Sequence, residues 1–422
     1  MSTFFHKAPQ ALRPSAEMNL LRLCARLGLG QGVKQDIRDQ VETGINWVSA
    51  RALAHHHRLL PSLYRGLMSA CPEEAPFEVL AALRRDYQAN AARNLLLTQE
   101  LLKILDFFES HGIQAIPFKG PALAEQYYGD LALRQFDDLD VLIRQGDVPK
   151  ARDLLMRQEF EPEFASVRVG DPRVLWEEGE YRFFGPEGRY LLEVHWQAVP
   201  RTFLADLKYE PMWERHINAE LRGRRVWSLS PEDTLLCLAL HGMHHLWDRL
   251  AWIQDVVRAA RAARGMDWEG LFDWARQIGA LRMVEVALLL GHRTLHDRLP
   301  ESVVEQCERD RSATALARQM EASWVQPGSS DRRPAMLKQH TRARERWQDK
   351  KNYVLGQFFA PSFKDWSKHR LPGRLSFLYR VFRPLRQMRE WFQGSRCEKA
   401  QAGVMIAQPT LPDPVAHGEV GQ

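Results

Sequence analysis

The sequence predicts an α+β fold: a small mixed β-sheet core, flanked along the chain by helical regions. Three observations predict it. Residues 77 to 110 carry a long helical stripe, with Leu80, Leu83, Tyr87, Leu101, Leu105 and Phe108 on one side and Arg84, Glu100 and Lys103 on the other. Short strand-like runs follow at 113–118 and 138–143, and period-two alternation then runs through 161–200. At Ser230-Pro231-Glu232-Asp233 a capping serine, a first-turn proline and two acids restart a helical pattern.

Residues 1 to 15 are expected to be mobile. Helical periodicity then fills 16–70, broken at Gly28, Gly30 and Gly32. The triplet His55-His56-His57 cannot share one helix face, so it reads as a helix surface with one inward histidine and not as a metal box. Gly112 should end the long helix. A strand over Ile113 to Phe118 leads into the turn Lys119-Gly120-Pro121, where glycine permits an unusual backbone angle and proline suits a first helical position. A helix to about Tyr128 and a strand from Asp138 to Ile143 follow. Asp147 is the expected cap of the next helix, with Pro149 in its first turn. Gly185 to Gly188 should close a hairpin that returns Glu193 beside the aspartates. Further helices are expected over 234–246, 283–290 and 303–320, and a loop over 326–335. The predicted boundaries are 1–94 helical, 95–229 core, 230–350 helical, 351–397 basic and aromatic, and 398–422 disordered.

The composition is that of a soluble globular protein, with 45% hydrophobic and 26% charged residues in 422. A net charge of +5 at this length is no strong nucleic-acid signal. The cysteines Cys24, Cys71, Cys237, Cys307 and Cys397 are odd in number and lack a Cys-x-x-Cys pair, which fits a reducing, cytoplasmic setting. No signal peptide is evident, and no apolar run approaches the ~20 residues that span a bilayer.

Alternate strand residues share a face, so Asp138 and Asp140 point the same way. Two like charges side by side repel unless a cation lies between them, and a divalent metal is the natural one. The alternative is a pair of solvated carboxylates at a strand end. Glu193 and His195 likewise share a face, with Leu192 and Val194 on the other. His195 either orients Glu193, or touches substrate, or is a structural histidine. His241 and His245, four apart, share a helix face; with no cysteine or further ligand nearby they are expected to line a substrate cleft and not to hold zinc.

Phe118-Lys119-Gly120, Arg134, Asp138-Leu139-Asp140 and Glu193-Val194-His195-Trp196 together resemble the bacterial nucleotidyltransferase-like proteins with a Lys-Gly turn, within the polymerase-beta-type nucleotidyltransferase superfamily. The segment His241-Gly242-Met243-His244-His245-Leu246-Trp247, with Trp252 and Asp255, and the run Arg380 to Arg386 extend the resemblance over roughly residues 16–390. It implies a nucleotidyltransferase-like core and Mg2+-dependent transfer of a nucleotidyl group from a nucleoside triphosphate to an unidentified small-molecule, peptide or saccharide acceptor. It assigns Asp138, Asp140 and Glu193 to metal binding and catalysis, and Lys119 and Gly120 to the turn facing the triphosphate. Pro121 lacks an N–H and the superfamily's serine is absent. Arg134 either holds phosphate or pairs with Asp137 or Asp130. The rivals are a non-catalytic nucleotide-binding or scaffold protein with the same fold, and an Asp-x-Asp glycosyltransferase, which the long helical region before the motif disfavours.

From Lys364 to Arg389 eight lysines and arginines face one acid, Asp365, among Trp366, Phe377, Tyr379 and Phe382. Such a stretch either docks peripherally on an anionic membrane or acidic partner, or packs on the body with its bases in solvent. Pro384 is expected to disturb a helix there.

Overall fold

The computed structural model describes residues 14–28, 32–164, 178–204, 207, 209–262, 265–324, 332–362, 365–366 and 373–387. The expectations for residues 1–13, Val167 and Val169, the loop at 326–331, Cys397 and the tail 398–422 lie outside them. Contacts divide the chain into two compact units, 1–356 and 357–422.

The first unit opens with α1 (Ala16–Ala25), α2 (Val33–Glu42), α3 (Trp47–His56) and α4 (Leu60–Ala70), packed through Leu20, Leu21, Ile37, Leu63 and Leu67. Of the histidine triplet only His57 is buried, the one inward histidine that the spacing predicts. Helix α5 (Phe77–Ser110) ends with Gly112 at φ +70°. Its Asn90 and Asn94 donate to the carbonyls of Leu131, Ala132 and Arg134, so this helix holds the loop that feeds the second strand.

The sheet contains β1 (Ala115–Pro117), β2 (Asp138–Ile143), β3 (Glu161–Pro162), β4 (Glu180–Phe184) and β5 (Leu191–His195), in the order β1-β2-β5-β4-β3. Among the described strands of this sheet only β2 and β5 run parallel. β1 is shorter than the sequence predicts because the N–H of Ile113 still closes the end of α5 on the carbonyl of Phe108. After the turn, α6 (Gly120–Leu123) continues as a π-helical turn over Ala124–Tyr128. Asp147 precedes α7 (Val148–Arg157) as expected, but its side chain makes no capping bond. A short helix α8 (Glu210–Glu214) leads to a separate hairpin of β6 (Ile217–Leu221) and β7 (Arg224–Ser228), which the sequence reading did not anticipate.

Ser230 caps α9 (Pro231–His244), accepting from the Asp233 N–H. Then come α10 (Leu250–Ala262), α11 (Trp268–Ile278), α12 (Leu281–Leu295), α13 (Glu301–Arg309), α14 (Arg311–Ser323), α15 (Arg332–Arg342) and α16 (Trp347–Phe359). Residues 332–335, expected in a loop, begin α15. One hydrophobic cluster joins Leu21 of α1, Leu142 of β2, Leu240 of α9 and Leu288 of α12, so the sheet and both helical regions share a core.

Two polar links hold the helical region, one to the loop before β2 and one between its own helices. Arg134 donates to Asp255 of α10 from Nε (2.9 Å to Oδ1) and Nη2 (3.0 Å to Oδ2), and the Tyr128 hydroxyl donates to the same carboxylate at 2.6 Å. Asp255 is 1% exposed. Arg134 therefore takes neither local partner: Asp137 pairs with Arg58 and Arg93, and Asp130 accepts from the N–H of Ala132. His340 of α15 supplies the second link, its ring between the Tyr353 hydroxyl (2.7 Å) and the Met243 carbonyl of α9 (3.0 Å).

Within the second unit, Asp365 accepts from Arg386 at 2.7 and 3.2 Å and lies 3.7 Å from Arg383. A helix runs over 379–387 straight through Pro384. The missing N–H costs the bond to the Arg380 carbonyl in its opening turns, where one lost bond does not break it. No helix among the described residues is long and apolar enough to cross a membrane.

Removing Asp255 leaves Arg134 buried without a counter-charge. Asp255→Ala should lower the urea-denaturation free energy by about 3–5 kcal/mol; a loss under about 1 kcal/mol would show that the link does not clamp the sheet to α10. A pH test addresses His340. Burial first, then the nearby His244 and Arg344, push its ring down to about 3. Unfolded, it takes a proton near pH 6.5, so the stability from keeping it neutral is complete above that pH and is lost as pH falls towards 3. Between pH 7.5 and pH 5 the wild type should lose up to about 2 kcal/mol more than His340→Gln; equal losses in both proteins would overturn this assignment.

Candidate functional site

The site is built on the parallel pair of β2 and β5. Asp140 on β2 stands directly opposite Glu193 on β5, and Asp138 and His195 project from the same face. The hairpin through Gly185–Gly188 delivers Glu193 to this position, as the turn chemistry predicts, and places Arg182 of β4 opposite it. Gly120 has φ +49°, and a Cβ there would lie 3.3 Å from the Asp138 carbonyl oxygen. Glycine thus lets the Lys119-Gly120 turn lie close against β2.

Lys119 Nζ donates to Asp140 Oδ1 at 2.8 Å. His195 Nε2 lies 3.0 Å from the same oxygen and 3.4 Å from Glu193 Oε2, while Arg182 Nε holds Glu193 Oε1 at 3.0 Å. Asp140, Glu193 and His195 are all buried. Phe118 places its ring edge-on to His195 at 5.0 Å and lies 5.0 Å from the Lys119 ammonium.

The two aspartates are driven apart electrostatically. Burial, then the negative charges of Asp140 and Glu193, push Asp138 up to about 6. Burial alone would also raise Asp140, but the Lys119 ammonium and the His195 ring hold it well below the usual carboxylate range. Burial would lower His195; its bonds to Asp140 and Glu193 outweigh that and lift it to about 9. Such a cluster suits a divalent cation. Asp140, Glu193 and His195 each present one donor atom, all within 4.8 Å of one another. Asp138 stands outside that group, half-buried on the same face.

The end of α9 lies near this face, within reach of the Lys119 charge. His241 is pushed well below its ordinary range by burial and then by the positive charge of Lys119, and His245 is lowered to about 4 by burial, His244 and Lys119. Both rings pack on Trp252, at 5.3 and 5.2 Å. The chain reverses here because Trp247 folds back over Gly242, where any Cβ would strike its ring. Leu246 and Trp247 both adopt positive φ, 53° and 55°, a strained turn at the edge of the site.

The structure therefore brings Asp138, Asp140, Glu193, His195, Lys119 and Gly120 to one face, with His241 and His245 close enough to sense the Lys119 charge. Arg134 adjoins them, but its guanidinium is engaged by Asp255. The sequence reading missed Arg182, Glu180 and the pairing of Arg134 with Asp255. Arg182 was findable, since the Gly185–Gly188 turn sets it across from Glu193. Asp255 was not, because 121 residues separate it from Arg134.

No curated protein matches the chain. Among solved structures it is similar to an antigenic nucleotidyltransferase-like protein from Paracoccidioides brasiliensis, at 16% identity over 56% of this chain and 97% of that one, with a TM-score of 0.29. The model of the family described as "Uncharacterised nucleotidyltransferase" matches residues 43–296, more than half of the chain. The match spans α3 to α5, the whole carboxylate cluster and the histidine-bearing end of α9, and the chain belongs to this nucleotidyltransferase family.

Proposed function

We propose that this chain is a metal-dependent nucleotidyltransferase that moves a nucleotidyl group from a nucleoside triphosphate to an acceptor held between the sheet and the end of α9. One observation carries the reading: Asp140 faces Glu193 in register across the parallel pair, with the Lys119-Gly120 turn packed against the same strand. Asp138, Asp140 and Glu193 are the residues to hold Mg2+. When bound, the ion supplies charge stabilisation to the attacking and leaving oxygens. Lys119 is the nearest side-chain cation for triphosphate oxygens, and Gly120 leaves room for backbone approach. Glu193 has both oxygens engaged, by Arg182 and His195. Asp138, half-buried at the mouth, is the better group to accept a proton from the acceptor. His241 and His245, held neutral, line the acceptor side.

The Lys119–Asp140 ion pair also favours a second reading, a nucleotide-binding protein whose lysine takes the place of the metal and which does not turn over. Calorimetry with a non-hydrolysable nucleoside triphosphate separates the two. The wild type should bind it with Mg2+ and not without, and the Asp138→Asn/Asp140→Asn protein should stay folded but lose that binding. Unchanged affinity in the double variant would exclude the metal role and leave the second reading.

The second unit suits an accessory contact with an anionic surface. Phe377, Val381 and Leu385 are exposed at helical spacing among the arginines. Truncation after Gln357 should weaken binding to phosphatidylserine vesicles while Mg2+-dependent nucleotide binding persists. Loss of nucleotide binding from a folded truncated chain would show that this segment serves the site itself.

A further inference from the structure

The metal expected at the cluster is Mg2+, which prefers oxygen donors and keeps several waters. The cluster, however, aims a nitrogen between its two buried carboxylates. His195 Nε2 is 3.0 Å from Asp140 Oδ1 and 3.4 Å from Glu193 Oε2. Neighbouring donors around an octahedral ion with bonds of about 2.1 Å stand roughly 3 Å apart, and around a tetrahedral one roughly 3.4 Å. The spacing between these side chains is that of ligands sharing one ion.

The other ring nitrogen points the same way. His195 Nδ1 lies 3.3 Å from the Gln197 carbonyl oxygen and 3.5 Å from Glu180 Oε2. Both are acceptors, so Nδ1 keeps its hydrogen when a cation displaces the proton that Nε2 shares with Asp140, and the Nε2 lone pair then faces the ion. A metal-bound histidine is oriented in this way, with its second nitrogen donating to a carbonyl or carboxylate. The charges agree. Four carboxylates, Asp138, Asp140, Glu180 and Glu193, gather around Lys119 and Arg182. With the histidine made neutral by that displacement, two negative charges remain, the charge of one divalent ion.

We infer that His195 is a metal ligand through Nε2, alongside Asp140 and Glu193, and that this mixed nitrogen–oxygen set prefers a first-row transition ion over Mg2+. The inference rests on the metal-dependent reading above and adds to it the identity of a ligand and the class of ion. An imidazole ligand strengthens binding to transition ions far more than to Mg2+. Arg182 on Glu193 and Phe118 against the ring hold the donors in place.

Pulsed EPR of the full chain loaded with Mn2+, with a non-hydrolysable nucleoside triphosphate present, tests this directly. The wild type should show modulation from a directly bound 14N, and His195→Gln should lack it. In parallel titrations the wild type should bind Mn2+ at least about tenfold more tightly than Mg2+, and the substitution should remove most of that preference. Mn2+ bound without nitrogen coupling, or an unchanged preference in the variant, overturns the inference while leaving carboxylate-held metal intact. Failure of both ions to bind overturns it together with the reading beneath it. The wild-type spectrum decides the ligand question even if the variant is poorly folded.

Discussion

Like-charge repulsion on one sheet face is the constraint from which the rest of this structure follows. Asp138, Asp140 and Glu193 are forced together by strand alternation and by the parallel register of β2 with β5. Left alone, buried carboxylates at that distance would neutralise by taking up protons or would push the strands apart. The protein instead surrounds them with cations from separate elements: Lys119 from the turn after β1, Arg182 from β4 and the ring of His195 from β5 itself. The cost of assembling that charge is met by the apolar packing beneath the sheet, where Leu139, Val141, Leu192 and Val194 are buried.

The same constraint explains why the helical region is inseparable from the sheet. The end of α9 comes near enough to the cluster for its histidines to feel the Lys119 charge. Arg134, Tyr128 and Asp255 tie the loop before β2 to α10, and His340 ties α15 to the last turn of α9. Each tie buries polar atoms that are fully matched, which makes it specific in geometry as well as stabilising. The strained turn at Leu246 and Trp247 is kept by the packing of Trp247 on Gly242, just after the histidines of α9. Neutral histidines suit that position, because further positive charge beside Lys119 would work against it.

Much of the site was legible because it depends on local rules. The alternation of Asp138-Leu139-Asp140 and of Glu193-Val194-His195 decided which side chains share a face. Gly120, Gly185 and Gly188 marked the turns, and Ser230-Pro231 the start of α9. The Lys119–Asp140 bond was not legible, since it requires β1 to lie against β2 in a particular register. Asp147 illustrates the opposite error: the residue type and position were right for a cap, yet the bond is not made. Pro384 is similar, a helix breaker tolerated where the chain has little helix before it to break.

By itself the sequence determined the alternating carboxylates, the glycine turn, the long helix α5 and the helical period after Ser230, because each follows from steric and hydrophobic periodicities spanning a few residues. Only the tertiary structure decided who pairs with whom. Arg134 could choose among several nearby acids on local grounds, and it took Asp255, which folding alone brings within reach. Whether His195 served the core or the cluster likewise turned on tertiary placement, which sets its Nε2 against Asp140 across the strand pair. Long-range partners are set by how the helical region closes over the sheet, and that closure is a property of the shared core, not of any short stretch of chain.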